Sequence, residues 1–342
     1  MIRITADKVH LAYLPTPLHE LRNVLYGSKS PRLLIKRDDL TGLGLGGNKT
    51  RKLEYLIADA INKNANVIVT AGAAQSNHCR QTAAAAAMKN LKCVLLLSGE
   101  PQDHPNGNIL LDHLFGASIV WTGTERYGES LGRISEKLCI AGFCPYVIPY
   151  GASNPLGALG YVEAMKETLL QLSAVGTAAD YIILPTSSYG TQAGLIVGSA
   201  LFEFRGTIIG VNVDKDHGEG KQLTLPIVDL CNKTAELIGF SHQFTEDNVY
   251  VDSKFTGRGY GIPDENEIDA IHLLASKEGI LLDPVYSGRA MGALITMINN
   301  NFFSSDDTIL FWHTGGVPSI FAYSDELYKS SGISDIIGNA LI

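Results

Sequence analysis

The sequence is short of basic residues, of clustered cysteines and of long apolar runs, and each shortage excludes a class of function. There are 27 Lys and Arg against 35 Asp and Glu, a formal net charge of −8. That sign, with no local block of Lys or Arg, argues against a nucleic-acid surface and points to a small-molecule partner. The five cysteines (Cys79, Cys93, Cys139, Cys144 and Cys231) are odd in number and scattered through 342 residues. They form no disulfide framework and read as reduced thiols in a cytoplasmic compartment. Cys139 and Cys144 lie close together, but no second pair completes a zinc set, so no metal is expected. The opening stretch MIRITADKVHLAYLPTPL carries charges where a signal peptide needs an apolar core. Runs such as CVLLLSG are strand length, far short of the roughly twenty residues that span a bilayer. What remains, with 45% hydrophobic and 18% charged residues, is an ordinary globular composition.

What is present is alternation. Short β-branched runs (RLLIKRDD, NVIVTAGA, CVLLLSG, SIVWTG, YVIPYG, YIILPTS, TIIGVNV and TILFWHTGG) alternate with longer helical patterns such as KTRKLEYLIADAINKN and NHCRQTAAAAAMKN. Apolar strands separated by helices predict mostly parallel sheet and an α/β fold. Two Gly/Ser/Pro-rich segments, GLGLGGN and PYGASNPLGALG, bracket four of the strands. They suggest a small α/β domain, residues 53–159, inserted into a larger one made of 1–52 and 160–342.

The densest motif is TGLGLGGNKTRKLEYL, Thr41–Leu56. Gly42, Gly44 and Gly47 match the spacing of a dinucleotide loop, but the next strand ends in AGAAQSNH with no acid for a ribose. A P-loop needs Lys directly after its last Gly, and Asn48 intervenes before Lys49. A lysine at a helix start is disfavoured as a cation by the macrodipole, and a lowered pKa is what Schiff-base chemistry requires. Ser76 reads as the N-cap of the alanine-rich helix, either as a plain cap or beside amides that hold an anion. The turn in PTSSYGTQAG sets hydroxyls and amides at another helix N-terminus, a good phosphate cup. HTGG follows the last strand, so several strand ends point to one crevice. One phosphate cup and one Schiff-base lysine, without a nucleotide signature, suggest pyridoxal phosphate.

Taken together, LPTPL (14–18), GGNKTRKLEYL (46–56), QSNH (75–78), GTQAG (190–194), GYGIP (259–263), LLDPVYSGRAM (281–291) and HTGGVPSIFAY (313–323) resemble the D-cysteine desulfhydrase / 1-aminocyclopropane-1-carboxylate deaminase family. The resemblance runs over nearly the whole chain in the family's order. It implies the two-domain tryptophan-synthase-β-like, type II pyridoxal-phosphate fold, a homodimer and a small amino-acid substrate. It implies Lys49 as the lysine that carries the cofactor, and Asn77 as the partner of its 3′ oxygen. Ser76 with neighbouring amides would meet the substrate carboxylate, beside His78, which reads equally as a polar residue of the first helical turn. Ser188, Tyr189, Gly190 and Thr191 would form the phosphate cup, with Tyr189 contributing backbone only. Tyr260 and Tyr286 match the family's two active-site tyrosines.

Two positions discriminate within that family. The deaminase branch carries Glu after DPVY and Leu in place of the Thr of HTGG; here they are Ser287 and Thr314. A carboxylate beside the pyridine nitrogen keeps it protonated, and a neutral hydroxyl does not enforce this. The pair resembles the desulfhydrase branch, which implies β-elimination from D-cysteine to pyruvate, hydrogen sulfide and ammonia. The alternatives are the cyclopropane deaminase, an L-cysteate sulfo-lyase and a non-catalytic cofactor or amino-acid binding protein. His313 is expected to pair with backbone, the Ala83–Ala87 run to pack closely, and Tyr161, Tyr181 and Tyr250 to be structural.

Overall fold

Among the described residues the apolar runs fold into two sheets that share no strand. This is a computed structural model, and it describes residues 4–25, 30–214, 218 and 220–328. In chain order the strands are β1 (Leu18–Glu20), β2 (Arg32–Arg37), β3 (Val67–Gly72), β4 (Lys92–Leu97), β5 (Ser118–Trp121), β6 (Pro145–Val147), β7 (Tyr181–Thr186), β8 (Thr207–Asn212), β9 (Tyr250–Asp252) and β10 (Thr308–His313). The larger sheet has the order β1-β2-β10-β7-β8-β9, antiparallel only between β1 and β2. The smaller, β5-β4-β3-β6, is wholly parallel and is inserted between β2 and β7 of the first.

The helices are α1 (Lys49–Asn62), α2 (Asn77–Met88), α3 (Gly107–Leu114), α4 (Leu131–Ile140), α5 (Pro155–Ala174), α6 (Gly190–Leu201), α7 (Lys221–Leu237), α8 (Glu265–Glu278) and α9 (Ser287–Asn299). Alternation along each strand sends side chains to two different cores. Leu34, Ile182, Leu184, Leu310 and Trp312 join α5, α6 and α7 on one face of the larger sheet. Ile35, Ile183, Ile309 and Phe311 join α8 and α9 on the other. In the smaller sheet Ile68, Leu95 and Leu97 face α1 and α2, and Val67, Val69 and Leu96 face α4. Both faces are covered, which is why these strands read as continuous apolar runs. Ala83, Ala85 and Ala86 are fully buried in the α1–α2 core, as their small size allows.

A buried ionic hub fixes α1 against the larger sheet. The Asp38 carboxylate, at the end of β2, accepts from Arg51 (Nε 3.0 Å, Nη2 2.9 Å), Thr16 Oγ1 (2.8 Å), Tyr161 OH (2.6 Å) and Trp312 Nε1 (2.8 Å). Glu167 of α5 bonds the other edge of the Arg51 guanidinium and also Lys36 Nζ. The Arg51 and Lys36 charges hold the Asp38 carboxyl at about 2 despite complete burial. Tyr161 is thus structural. Tyr181 packs edge-on against Phe303, and the Tyr250 carbonyl accepts from Gln192 Nε2.

Candidate active site

The glycine-rich turn before α1 is a packing device. A Cβ on Gly46 would lie 1.9 Å from the Asp39 carbonyl, and the φ of +70° there favours glycine. A Cβ on Gly315 of the HTGG loop would lie 2.6 Å from the Gly47 α-carbon. The two glycine loops therefore touch backbone to backbone, and Asn48 N–H donates to the Thr314 carbonyl at 2.9 Å. This contact delivers Lys49, the first residue of α1, into the crevice at the carboxyl ends of β3, β7 and β10.

Lys49 Nζ donates to Ser188 Oγ (3.1 Å) and to the Gly151 carbonyl (3.2 Å). Burial pushes its pKa from 10.5 down to about 8, with a hydrogen bond to Lys52 acting in the opposite sense. Lys52, one helical turn on, reaches the same Gly151 carbonyl and Ser153 Oγ, both at 3.3 Å. Burial and the neighbouring Lys49 charge push its pKa well below the usual lysine range.

The segment Gln75–His78 forms one wall of the cleft. Ser76 is the N-cap of α2 and accepts from Cys79 N–H at 3.2 Å. Asn77 Oδ1 accepts from Asn108 Nδ2 at 2.9 Å. His78 is buried, with Nε2 2.8 Å from Thr70 Oγ1. Because the Thr70 hydroxyl donates to the Ile148 carbonyl, Nε2–H must be the donor. Burial and the two lysine charges hold the ring neutral, so His78 is a fixed polar wall rather than a free base.

The opposite wall is the β7–α6 turn. Tyr189, which precedes α6, has φ +68° and ψ −33°, a conformation that costs a bulky residue roughly 1–3 kcal/mol. It turns the chain so that Gly190 N–H opens α6 against Ser153 Oγ at 3.3 Å. Thr191 Oγ1 accepts from Asn48 Nδ2 at 3.0 Å. A Cβ on Gly190 would sit 2.8 Å from Lys52 Nζ, so that amine lies at the helix N-terminus. Thr186 Oγ1 is buried without a protein partner among the described residues.

Of the residues singled out from the sequence, Lys49, Ser76, Asn77, His78, Ser188, Tyr189, Thr191, Tyr286 and Thr314 line one cleft, and Gly190, the first residue of α6, lies between two of them in the chain. Tyr260 stands behind Tyr286, its hydroxyl 2.5 Å from that of Tyr286 and the rings edge-to-face. Burial pushes both phenols upward, and the Arg126 guanidinium lies 5.2 Å from the Tyr260 ring centroid. Ser287 is fully buried and is not in the cleft lining. Its hydroxyl donates to Asp283 Oδ1 (2.6 Å) and accepts from Asp283 N–H (2.9 Å). His313 pairs with backbone as expected, through the Leu281 carbonyl and Gly315 N–H. Sequence reasoning missed Lys52, Tyr150 and Thr186. Only Lys52 carried a signal, its one-turn spacing from Lys49.

Fold and cleft together fit an enzyme that uses a phosphorylated aldehyde cofactor. The chain belongs to the pyridoxal-phosphate-dependent enzyme family, whose model matches residues 9–315. It is 41% identical over 318 residues to a D-cysteine desulfhydrase of Yersinia enterocolitica, covering 91% of this chain and 94% of that one. It is 40% identical to a D-cysteine desulfhydrase of Klebsiella pneumoniae, covering 94% and 97%. A crystal structure described as an ACC deaminase homologue superposes with a TM-score of 0.86 at 35% identity, covering 94% and 96%. The fold is thus the type II pyridoxal-phosphate fold, and the family resemblance holds over nearly the full length. O-ureido-L-serine synthase shares the fold alone, at TM-score 0.67 and 15% identity. The residues present fit the cofactor: a lysine with a lowered pKa, the unpartnered Thr186 hydroxyl and a helix N-terminus with Lys52 beside it. Among the described residues no helix is long and apolar enough to cross a membrane, and no group of three or more His, Cys, Asp or Glu could hold a metal ion.

Proposed function

We propose that this chain is a D-cysteine desulfhydrase, a carbon–sulfur lyase that converts D-cysteine and water to pyruvate, hydrogen sulfide and ammonia. The observation that carries this reading is the identity of about 40% over more than nine-tenths of both chains to enzymes of that name. The neutral pair Ser287 and Thr314 supports it against the deaminase branch.

Pyridoxal phosphate, when bound, supplies an aldehyde that condenses with amines and a ring that draws electrons from the substrate α-carbon. Lys49 would carry it. The amides opening α6, with Thr186, Ser188, Thr191 and Lys52, would hold its phosphate, and Asn77 would meet its 3′ oxygen. Thr314 would flank the ring, with Ser287 one layer behind.

Lys49 Nζ, neutral in a useful fraction at pH 7, takes the proton from the substrate α-carbon. Ser188 and the Gly151 carbonyl keep that amine aimed into the cleft. Ser76 Oγ and the first amides of α2 hold the substrate carboxylate, with His78 as the wall behind them. Tyr286 faces the departing sulfur and gives it a proton, and Tyr260 holds the Tyr286 hydroxyl in place.

A second reading, cyclopropane deaminase, is favoured by the likeness to the ACC deaminase homologue. The deciding experiment measures pyruvate from D-cysteine, L-cysteine, 3-chloro-D-alanine and L-cysteate, and 2-oxobutyrate from 1-aminocyclopropane-1-carboxylate. D-Cysteine should dominate. Preference for L-cysteate or for ring opening overturns the reading, and no turnover at all by cofactor-loaded protein makes it a binding protein. We further propose a cytoplasmic homodimer, with residues 53–159 as the small domain and 1–52 with 160–342 as the large one. The exposed apolar side chains Tyr13, Leu40 and Leu45 near the glycine turn support an interface there. Light scattering of the purified protein tests the dimer, and a single-chain mass refutes it.

A further inference from the structure

One buried polar side chain beside the cleft has no place in the mechanism above. Asn108, in the first turn of α3, is fully buried, and α3 packs on α2 and on the turn Val317–Tyr323. Its hydrogen bonds fix its orientation. The Gln75 carbonyl can only accept, so the Asn108 atom 2.8 Å from it is Nδ2. The second hydrogen of that NH2 meets an Asn77 atom at 2.9 Å, which must therefore be Oδ1. The NH2 of Asn77 is then turned away from α3. It lies over Gly316, where a Cβ would come within 2.9 Å of it. Asn77 lines the same cleft as Lys49 and Thr314. Asn108 is itself held firmly, because its backbone N–H donates to Gln75 Oε1 at 2.8 Å and Gln75 Nε2 donates to the Asn106 carbonyl at 3.2 Å.

We propose that Asn108 is a positioning residue whose NH2 holds the Asn77 carboxamide with its donor end facing the cofactor cleft. This rests on the reading that Asn77 meets the 3′ oxygen of pyridoxal phosphate. That oxygen is an acceptor when ionised, and a carboxamide turned the other way would set oxygen against oxygen. The orientation of Asn77 is thus set from α3, which packs on α2. Neither Asn108 nor α3 belongs to the motifs that frame the cleft.

The test is a double-mutant cycle on pyridoxal-phosphate affinity and on the pH midpoint of the bound cofactor's visible absorption. Asn108→Asp keeps size and suits a first helical turn, but it presents oxygen where Asn77 needs a donor, so the Asn77 amide should flip. Asn77→Ala and Asn108→Asp should each weaken cofactor binding by about 10- to 100-fold and move the absorption midpoint. In the Asn77→Ala background, Asn108→Asp should add less than about 2-fold. If Asn108→Asp weakens binding equally with and without Asn77, its role is structural only and the proposal is overturned. If Asn77→Ala is impaired while Asn108→Asp is not, the proposal falls and the reading of Asn77 stands. If Asn77→Ala binds with unchanged affinity and spectrum, both fall. Should Asn108→Asp not fold, the same cycle with Asn108→Ser decides between these outcomes.

Discussion

Lys49 offers the most direct test of the cleft, because its protonation can be read before any turnover. Only the neutral amine attacks an aldehyde. Burial against the Gly151 carbonyl and Ser188 lowers its pKa from 10.5 to about 8. At pH 7 about one lysine in ten is then neutral, against fewer than about one in a thousand for an ordinary lysine. This is a gain of roughly 300-fold in reactive amine. The assay is stopped-flow absorbance of apo protein mixed with pyridoxal phosphate from pH 6 to 10.5, each rate divided by that of a free lysine side chain with the same reagent. The uncorrected rate should rise about tenfold per pH unit below the midpoint and level off above pH 8. After division, the advantage over free lysine should hold at roughly 300-fold below pH 8 and shrink above it. Lys52→Met removes the hydrogen bond that favours the charged form of Lys49, so the midpoint should move to lower pH. That shift should also appear with pyridoxal, which lacks the phosphate. A rate that climbs without a break to pH 10, or one that survives Lys49→Ala, refutes the reasoning.

Asp38→Asn should destabilise the protein by about 3 kcal/mol at pH 7 in urea unfolding, at the lower end for a broken buried pair because Arg51 keeps Glu167. The native pKa of Asp38 lies below its ordinary value, so its contribution, about 2 kcal/mol from the shift alone, is present above pH 4 and lost as pH falls through 2; a deficit under about 1 kcal/mol at pH 7 would falsify the hub. Ser287→Glu sets a second carboxylate beside Asp283, a repulsion of about 4 kcal/mol at 4 Å with an effective dielectric of 20, so the variant should melt lower at pH 8 than at pH 5. Combined with Thr314→Leu it should gain cyclopropane opening and lose D-cysteine turnover, and loss without gain shows that these positions do not choose the reaction. Tyr286→Phe should slow D-cysteine elimination by roughly 10²–10⁴-fold, and Tyr260→Phe by less. Both should still exchange the α-proton of D-alanine into deuterated solvent, whereas Lys49→Ala should not; loss of exchange in Tyr286→Phe would move that tyrosine to the proton-abstraction step.

The legible parts of this fold were those with many residues repeating one signal. Six-residue strands buried on both faces, such as VIVTAG and YIILPT, announce parallel sheet, and the Ser76 cap announces the start of α2. The strands β1 and β9 were not foreseen, because LHE and YVD each set a charged residue beside one or two apolar ones, whereas the equally short edge strand β6 lies in the apolar run YVIPYG. The glycine spacing that imitates a dinucleotide loop has another cause: Gly42, Gly44 and Gly47 all have positive φ, and a Cβ there would meet the Tyr13 ring, Ala84 Cβ and the Gln81 side chain. That cause lies in contacts to other segments, which spacing does not encode.

The same limit divides the site. Motifs list which residue types gather in the cleft, but a hydroxyl or carboxamide acts through the direction of its proton, and that is set by partners elsewhere. Ser287 read as a neutral hydroxyl free to face a ring nitrogen. In the fold, Asp283, which also caps α9 through the N–H groups of Val285, Tyr286 and Ser287, takes its proton and one of its lone pairs. The Ser287 oxygen has one acceptor site left. Any group that approaches it must therefore come as a donor. A serine backed by a buried carboxylate is then electrostatically closer to the glutamate of the deaminase branch than the residue type implies, and Thr314, which lines the cleft itself, becomes the sharper difference between the two. Thr314→Leu alone should accordingly move specificity further than Ser287→Glu alone, and the reverse order in the same product assay would return the decisive role to Ser287.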